Sequence, residues 1–206
     1  MIKKTGKWIT GMLVAGMALT GRVHAEVVFN FDSPETGQAL KGWVKEAAVT
    51  EVVSLPEGGG CLKVSEPGPA YKASLYRMAP LKGIVTVEFK IKADSNQKAA
   101  AIQLAGTGTG NAIANLTFMK NGAIAFNHGE MLLGSIISYK PDIWYAVRMV
   151  IDLNQKVYSA YVNDKLVADA CGFINSAASN LATINVAVKD GAALYLDDVG
   201  LCFIWG

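Results

Sequence analysis

The chain has 206 residues, 51% hydrophobic and 17% charged, with a formal net charge of +2 and three cysteines. That length holds one domain with a sizeable core. The near-neutral charge excludes the basic field of a nucleic-acid-binding protein.

The slight excess of cations belongs to the first segment. Lys3, Lys4 and Lys7 make a positive start, residues 8–20 are apolar, and Val23-His24-Ala25 has the small-residue character that signal peptidase reads. The apolar run falls short of the ~20 residues of a membrane span, and Arg22 closes it. Residues 1–25 are therefore expected to be a cleaved secretory signal. Residues 26–206 are expected to be one domain, periplasmic or secreted, with no membrane contact after cleavage. The signal holds four basic residues and no acidic one, which leaves 15 basic against 17 acidic, a net charge of −2. Cys61, Cys171 and Cys202 fit no zinc spacing. They are expected as small buried hydrophobes, with one disulfide the alternative.

From here on strict alternation recurs and helical periodicity does not. Short strands are expected around 43–53, 60–65 and 71–78, bounded by the breaks at 55–60 and 66–69. In 84–93, Val85, Val87, Phe89 and Ile91 face one way and Thr86, Glu88, Lys90 and Lys92 the other. Strands at 113–120 and 123–127 flank Asn121-Gly122. In 143–152, Ile143, Tyr145, Val147, Met149 and Ile151 form the inward set, with Trp144, Arg148 and Asp152 opposite. Strands at 157–162 and 165–168 flank Asn163-Asp164, and strands at 181–189 and 192–203 flank Asp190-Gly191. Asn, Asp and Gly tolerate the positive φ of two-residue hairpins. Residues 176–180 allow at most one helical turn. Many short, half-buried strands predict an all-β, two-sheet antiparallel jelly-roll sandwich.

The run from Asp142-Ile143-Trp144-Tyr145 to Ile151-Asp152, the hairpin through Asn163-Asp164 and the closing Leu194-Tyr195-Leu196-Asp197-Asp198-Val199 resemble the concanavalin A-like lectin/glucanase superfamily, its laminin-G-like branch in particular. The opening Val27-Val28-Phe29-Asn30-Phe31-Asp32 with Gly42-Trp43 is similar to the first strand of bacterial carbohydrate-binding jelly rolls. The resemblance implies a polysaccharide or oligosaccharide partner, or a protein partner in a purely structural module. It also implies a structural calcium ion where the first and last strands meet, and Asp32, Asp197 and Asp198 are the candidate ligands.

Sugars stack on aromatic rings and bond to planar polar side chains. Trp43, Tyr71, Tyr76, Tyr139, Trp144 and Tyr161 are available as rings, and Gln103, Asn115, Asn127, His128 and Arg148 as hydrogen-bonding groups. Tyr161, Arg148, Gln103, Asn115 and His128 are the expected ligand-binding set. Catalysis has less to rest on. The Glu-x-Asp-x-x-Glu run of the glucanase members is absent, as are a Gly-x-Ser-x-Gly elbow and a pair of metal-binding histidines. A polysaccharide lyase would need Arg148, Gln103, His128 and Tyr161 in one cleft. The expected function is non-catalytic glycan binding or a structural role, with a lyase or hydrolase as the alternative.

Overall fold

A computed structural model describes residues 23–29, 31–32, 43–45, 48–56, 58–66, 68–69, 72–134 and 137–204. Most of the expected signal segment, Tyr71 and the expected strand's Asn30 lie outside them. The strands in chain order begin with β1 (Val23–Phe29), β2 (Trp43–Lys45), β3 (Val49–Ser54), β4 (Gly60–Ser65), β5 (Lys72–Leu81), β6 (Ile84–Ala93), β7 (Ala100–Ala105) and β8 (Ala112–Phe118). They continue with β9 (Ala123–His128), β10 (Met131–Leu132), β11 (Ile137–Ser138), β12 (Tyr145–Asp152), β13 (Val157–Val162), β14 (Lys165–Gly172), β15 (Leu181–Val188) and β16 (Ala193–Ile204).

They form two antiparallel sheets. The first runs β14-β13-β12-β6-β16-β4-β3, with β1 also on β16. The second runs β10-β9-β8-β7-β15-β5-β2, with β11 also on β9. The fold is the all-β jelly-roll sandwich that the alternation predicts. The two central strands of the first sheet, β6 and β16, come from the middle and the end of the chain, and β1 joins the start to the end. The expected cleavage after Ala25 falls inside β1, and the stretch beyond it still pairs Glu26 with Leu201 and Phe29 with Val199.

Alternation fixes which side chains meet between the sheets. From the first sheet come Val85, Val87, Phe89, Ile91, Val147, Met149, Ile151, Tyr158 and Ala160, all nearly inaccessible to water. From the second come Ile102, Leu104, Leu116, Phe118, Ile124, Phe126, Ile184, Val186 and Val188. Each large apolar side chain so buried contributes about 1.5–3 kcal/mol. Tyr158 crosses the core and donates its hydroxyl to the backbone oxygen of Asn127 in β9, which ties one sheet to the other. Phe118 packs edge to face on Tyr139 at 4.8 Å.

The hairpins use the residues the alternation pointed to. Asn163 and Asp164 sit at φ 49° and 63°, and Asp190 and Gly191 at 59° and 75°, the double positive φ of a type I′ turn. The Asn121-Gly122 hairpin is looser than expected, because β8 already ends at Phe118, and further expectations also differ from the structure. Residues 43–53 are two strands in different sheets, because β2 pairs with β5 and β3 with β4. Ile143 is 49% exposed, since β12 begins only at Tyr145. Residues 176–180 contain no helix. No disulfide joins Cys61, Cys171 and Cys202, and the first two are buried.

Candidate functional site

The outer face of the second sheet carries a row of amides. In β7, Ala100, Ile102 and Leu104 point into the core, so Ala101, Gln103 and Ala105 point out. The same alternation turns Asn115 and Thr117 outward on β8, and Thr183, Asn185 and Ala187 outward on β15. Register then aligns them. Asn185 lies opposite Gln103, and Gln103 opposite Asn115. The β8–β9 register pairs Leu116 with Phe126 and Thr117 with Ala125. One step further along it, Asn127 follows Ala125 on the outer side of β9, beside Asn115. Four consecutive strands thus each place one amide in a line.

Three of these amides are incompletely satisfied. The Oδ1 atoms of Asn115, Asn127 and Asn185 are shielded from solvent and have no hydrogen-bond partner. Asn127 as a residue is only 8% exposed. A shielded carbonyl without a partner costs about 1–3 kcal/mol.

A cleft of about 570 Å³ opens at one end of the row, with Leu75, Arg77, Gln103, Thr183 and Asn185 among its lining. Its wall is the turn from Gly106 to Gly110, where Gly108 and Gly110 have φ of 85° and 80°. Side chains hold that turn in place. Asn180 accepts from Thr107 N at 3.0 Å and donates to Thr107 Oγ1 at 3.2 Å, Asn175 donates to Gly110 O at 2.8 Å, and Asn111 donates to Thr107 O. Among the described residues, no Asp, Glu, His, Tyr, Trp or Phe lines the cleft.

The expected ligand-binding set divides between two surfaces. Gln103 and Asn115 belong to the amide row. Arg148 and Tyr161 are cross-strand partners on the outer face of the first sheet, with the guanidinium 4.3 Å from the ring centre. His128 is exposed at the end of β9. The four residues a lyase would gather therefore do not share a cleft, because the sandwich core separates Gln103 from Arg148 and Tyr161. The aromatic candidates also lie off the cleft. Trp43 and Tyr139 are buried, Tyr76 packs against the core and touches Trp43 at 5.8 Å, and Trp144 lies under Lys92 on the first sheet. Asn185 and the turn asparagines Asn111, Asn175 and Asn180 are the residues the sequence reading passed over. Asn185 was within reach, since Ile184 and Val186 mark its strand and its outward parity.

The three candidate calcium ligands sit near one another where β1 meets β16. Asp32 Oδ1 accepts from Gly60 N at 3.1 Å, and Asp197 Oδ1 accepts from Asp198 N at 2.8 Å. Asp198 occupies a bulge at φ 48°, and its carboxylate lies 2.7 Å from Lys90 Nζ. Burial pushes the Asp197 carboxyl up to about 6, with the charges of Asp198 and Asp32 adding to the shift. Among the described residues no group of three or more His, Cys, Asp or Glu side chains is assembled to hold a metal ion. Lys90 supplies the local positive charge beside Asp198.

Residues 57–193 match the model of the sialidase-like, CBM domain family. Among curated protein sequences none matches this chain. Among solved structures, a sialidase superposes with a TM-score of 0.70 at 16% identity, over 84% of this chain and 18% of that one. This chain therefore corresponds to less than a fifth of that sialidase. The alginate lyase Aly36B superposes at 0.57 and 12% identity, over 87% and 96% of the two chains. The carbohydrate-binding module CBM66 from Bacillus subtilis superposes at 0.50 and 19% identity, over 77% and 93%. These likenesses establish the sandwich fold. Of the expected resemblance the carbohydrate-binding β-sandwich is supported, and the family that matches is the sialidase-like one, not the concanavalin A-like superfamily.

Proposed function

The chain belongs to the sialidase-like CBM domain family, and from that footing we propose that it binds a glycan on the outer face of its second sheet without cleaving it. The observation that carries this reading is the row of amides Asn185, Gln103 and Asn115 on that face, of which Asn185 and Gln103 line the cleft. Sugar hydroxyls donate to amide oxygens and accept from amide nitrogens, so planar amides in series suit them. A cleft without a carboxylate, histidine or tyrosine among its described lining offers no group of the usual kinds for general acid–base chemistry. An export signal would deliver the domain to glycans outside the cytoplasm.

Affinity electrophoresis and a glycan array test the reading, with Gln103→Ala and Asn185→Ala as paired controls. The expected result is retention on at least one glycan, lost in both variants while their melting curves stay those of a folded domain. Retention that survives both substitutions would move the site elsewhere. No retention on any glycan would leave the domain with a structural or protein-binding role.

A further inference from the structure

Most of the side-chain hydrogen bonds that hold the cleft wall come from outside its own hairpin. They come from Asn175 and Asn180, in residues 173–180, the connection that leaves β14 of the first sheet and enters β15 of the second. Where that connection sits decides where the wall stands. Resting on the glycan-binding reading above, we propose that Lys156, in the β12–β13 hairpin of the first sheet, is a positioning residue for the cleft on the second.

Three links carry this. First, Lys156 grips the connection at two points. Its backbone oxygen accepts from Phe173 N at 3.1 Å, and its ammonium donates to Ala178 O. The ammonium also lies 6.0 Å from the centre of the Phe173 ring. No carboxylate pairs with it among the described residues, so its charge is directed at this carbonyl and this ring. A hydrogen bond from a charged donor is stronger than a neutral one. Lys156 is itself fixed in its turn. Its N–H donates to Asp152 O at 2.9 Å, and Asp152 Oδ1 accepts from Asn154 N and Gln155 N, both at 2.9 Å.

Second, the connection is docked at its start and held by Lys156 further along. Ile174 N donates to Ile113 O at 3.0 Å and Asn175 N to Ala112 O at 2.8 Å, which lays the start along β8. Residues 176, 177 and 179 are exposed, and Ala178 between them is buried. Among the described residues Ala178 O has no donor other than Lys156. Asn180 lies between Ala178 and the first residue of β15, so its place depends on that anchor.

Third, the connection and the cleft wall are in close contact. Asn180 holds both the N–H and the hydroxyl of Thr107, and Asn175 holds Gly110 O. A Cβ at Gly106 would meet Asn180 O at 2.8 Å, so a shift of Asn180 displaces the turn. The path from Lys156 through Ala178 and Asn180 to Thr107 thus joins a hairpin of one sheet to the binding face of the other. None of Lys156, Ala178 and Asn180 lines the cleft.

Amide hydrogen exchange, read by NMR on the unliganded protein, tests the path without a sugar. In Lys156→Met, which keeps the stem and loses the donor, the Thr107 amide should exchange about threefold to tenfold faster, as a local opening does. The Leu104 amide in the core of β7 should keep its rate. Lys156→Arg, which keeps a donor, should restore the parent rate at Thr107. Asn180→Ala should speed Thr107 by itself, and Lys156→Met should add nothing to it, because Lys156 acts through Asn180. Affinity electrophoresis in native gels with xylan, glucomannan, laminarin or alginate reads the consequence. A polysaccharide that retards the parent should bind Lys156→Met about threefold more weakly, through lost preorganisation, and Lys156→Arg as the parent. Lys156→Gln, too short to reach Ala178 O, takes the place of Lys156→Met if that variant does not fold. Unchanged exchange at Thr107, a rise shared by Leu104, or additive effects of Lys156→Met and Asn180→Ala would overturn the positioning role. Faster exchange at Thr107 with undiminished retardation would overturn its bearing on binding. If no polysaccharide and no arrayed glycan binds the parent, the glycan-binding reading fails, and the exchange rates alone decide whether Lys156 holds the wall.

Discussion

Asp197→Asn separates electrostatic cost from hydrogen bonding at the junction of the two chain ends. The Asp197 carboxyl is raised from its usual 3.8 to about 6, chiefly by burial and then by the charges of Asp198 and Asp32. The backbone N–H of Asp198, at 2.8 Å, favours the charged form but does not outweigh them. The folded state thus holds this proton to a higher pH than the unfolded chain does. Between about pH 4 and pH 6 the folded protein binds more protons, so stability falls as pH rises through that window and stays lower above it. The full shift corresponds to about 3 kcal/mol. The side chain is only half-buried, and water screening reduces the expected cost to about 1 kcal/mol. Asparagine keeps an oxygen for the Asp198 N–H and carries no charge. The variant should therefore melt about 2–4 °C higher than the parent at pH 7.5, with the two curves converging near pH 4. Differential scanning fluorimetry from pH 4 to pH 8 measures this directly. A variant less stable than the parent at pH 7.5, or a gap that does not change with pH, would refute the electrostatic account.

Asn180→Ala removes two hydrogen bonds to Thr107 at the exposed turn beside the cleft. It should weaken glycan binding about threefold to tenfold through lost preorganisation and move the melting temperature little, as read by titration and calorimetry side by side. Tyr158→Phe strands the Asn127 backbone oxygen in the core. It should destabilise the fold by about 1–3 kcal/mol in urea denaturation. Millimolar calcium or a chelator should leave the melting temperature unchanged, because Lys90 already neutralises Asp198. A rise with calcium that Asp32→Ala removes would establish an ion there.

Much of the sandwich can be read along the chain because alternation and hairpin turns are local. The expected limits of β4, β6 and β13 coincide with the observed ones, and each pattern of buried side chains is complete within its own strand. Errors fall where the chain changes sheet. Val49 to Val53 continue the apolar character of Trp43, and nothing local shows that β2 and β3 end in different sheets. Ile143 has inward parity, but the Asp142 backbone at φ 59° breaks the strand before it.

The site is harder to read for the same physical reason. Its defining feature is a line across strands, and register between β15, β7 and β8 joins residues 185, 103 and 115, which local pattern cannot connect. Parity alone shows that Arg148 and Tyr161 share a face, and across their hairpin they do. It does not say which sheet that face belongs to. In a two-sheet sandwich every strand has an outward side, so outward polar residues divide into two sets, and only sheet order assigns them. β12 pairs with β6 and β13, whereas β7 pairs with β8 and β15. That difference sends Arg148 and Tyr161 to one surface and Gln103 and Asn115 to the other. That second surface holds the cleft, and the amides of Gln103 and Asn185 in its lining are the groups there that can both donate to and accept from a sugar hydroxyl.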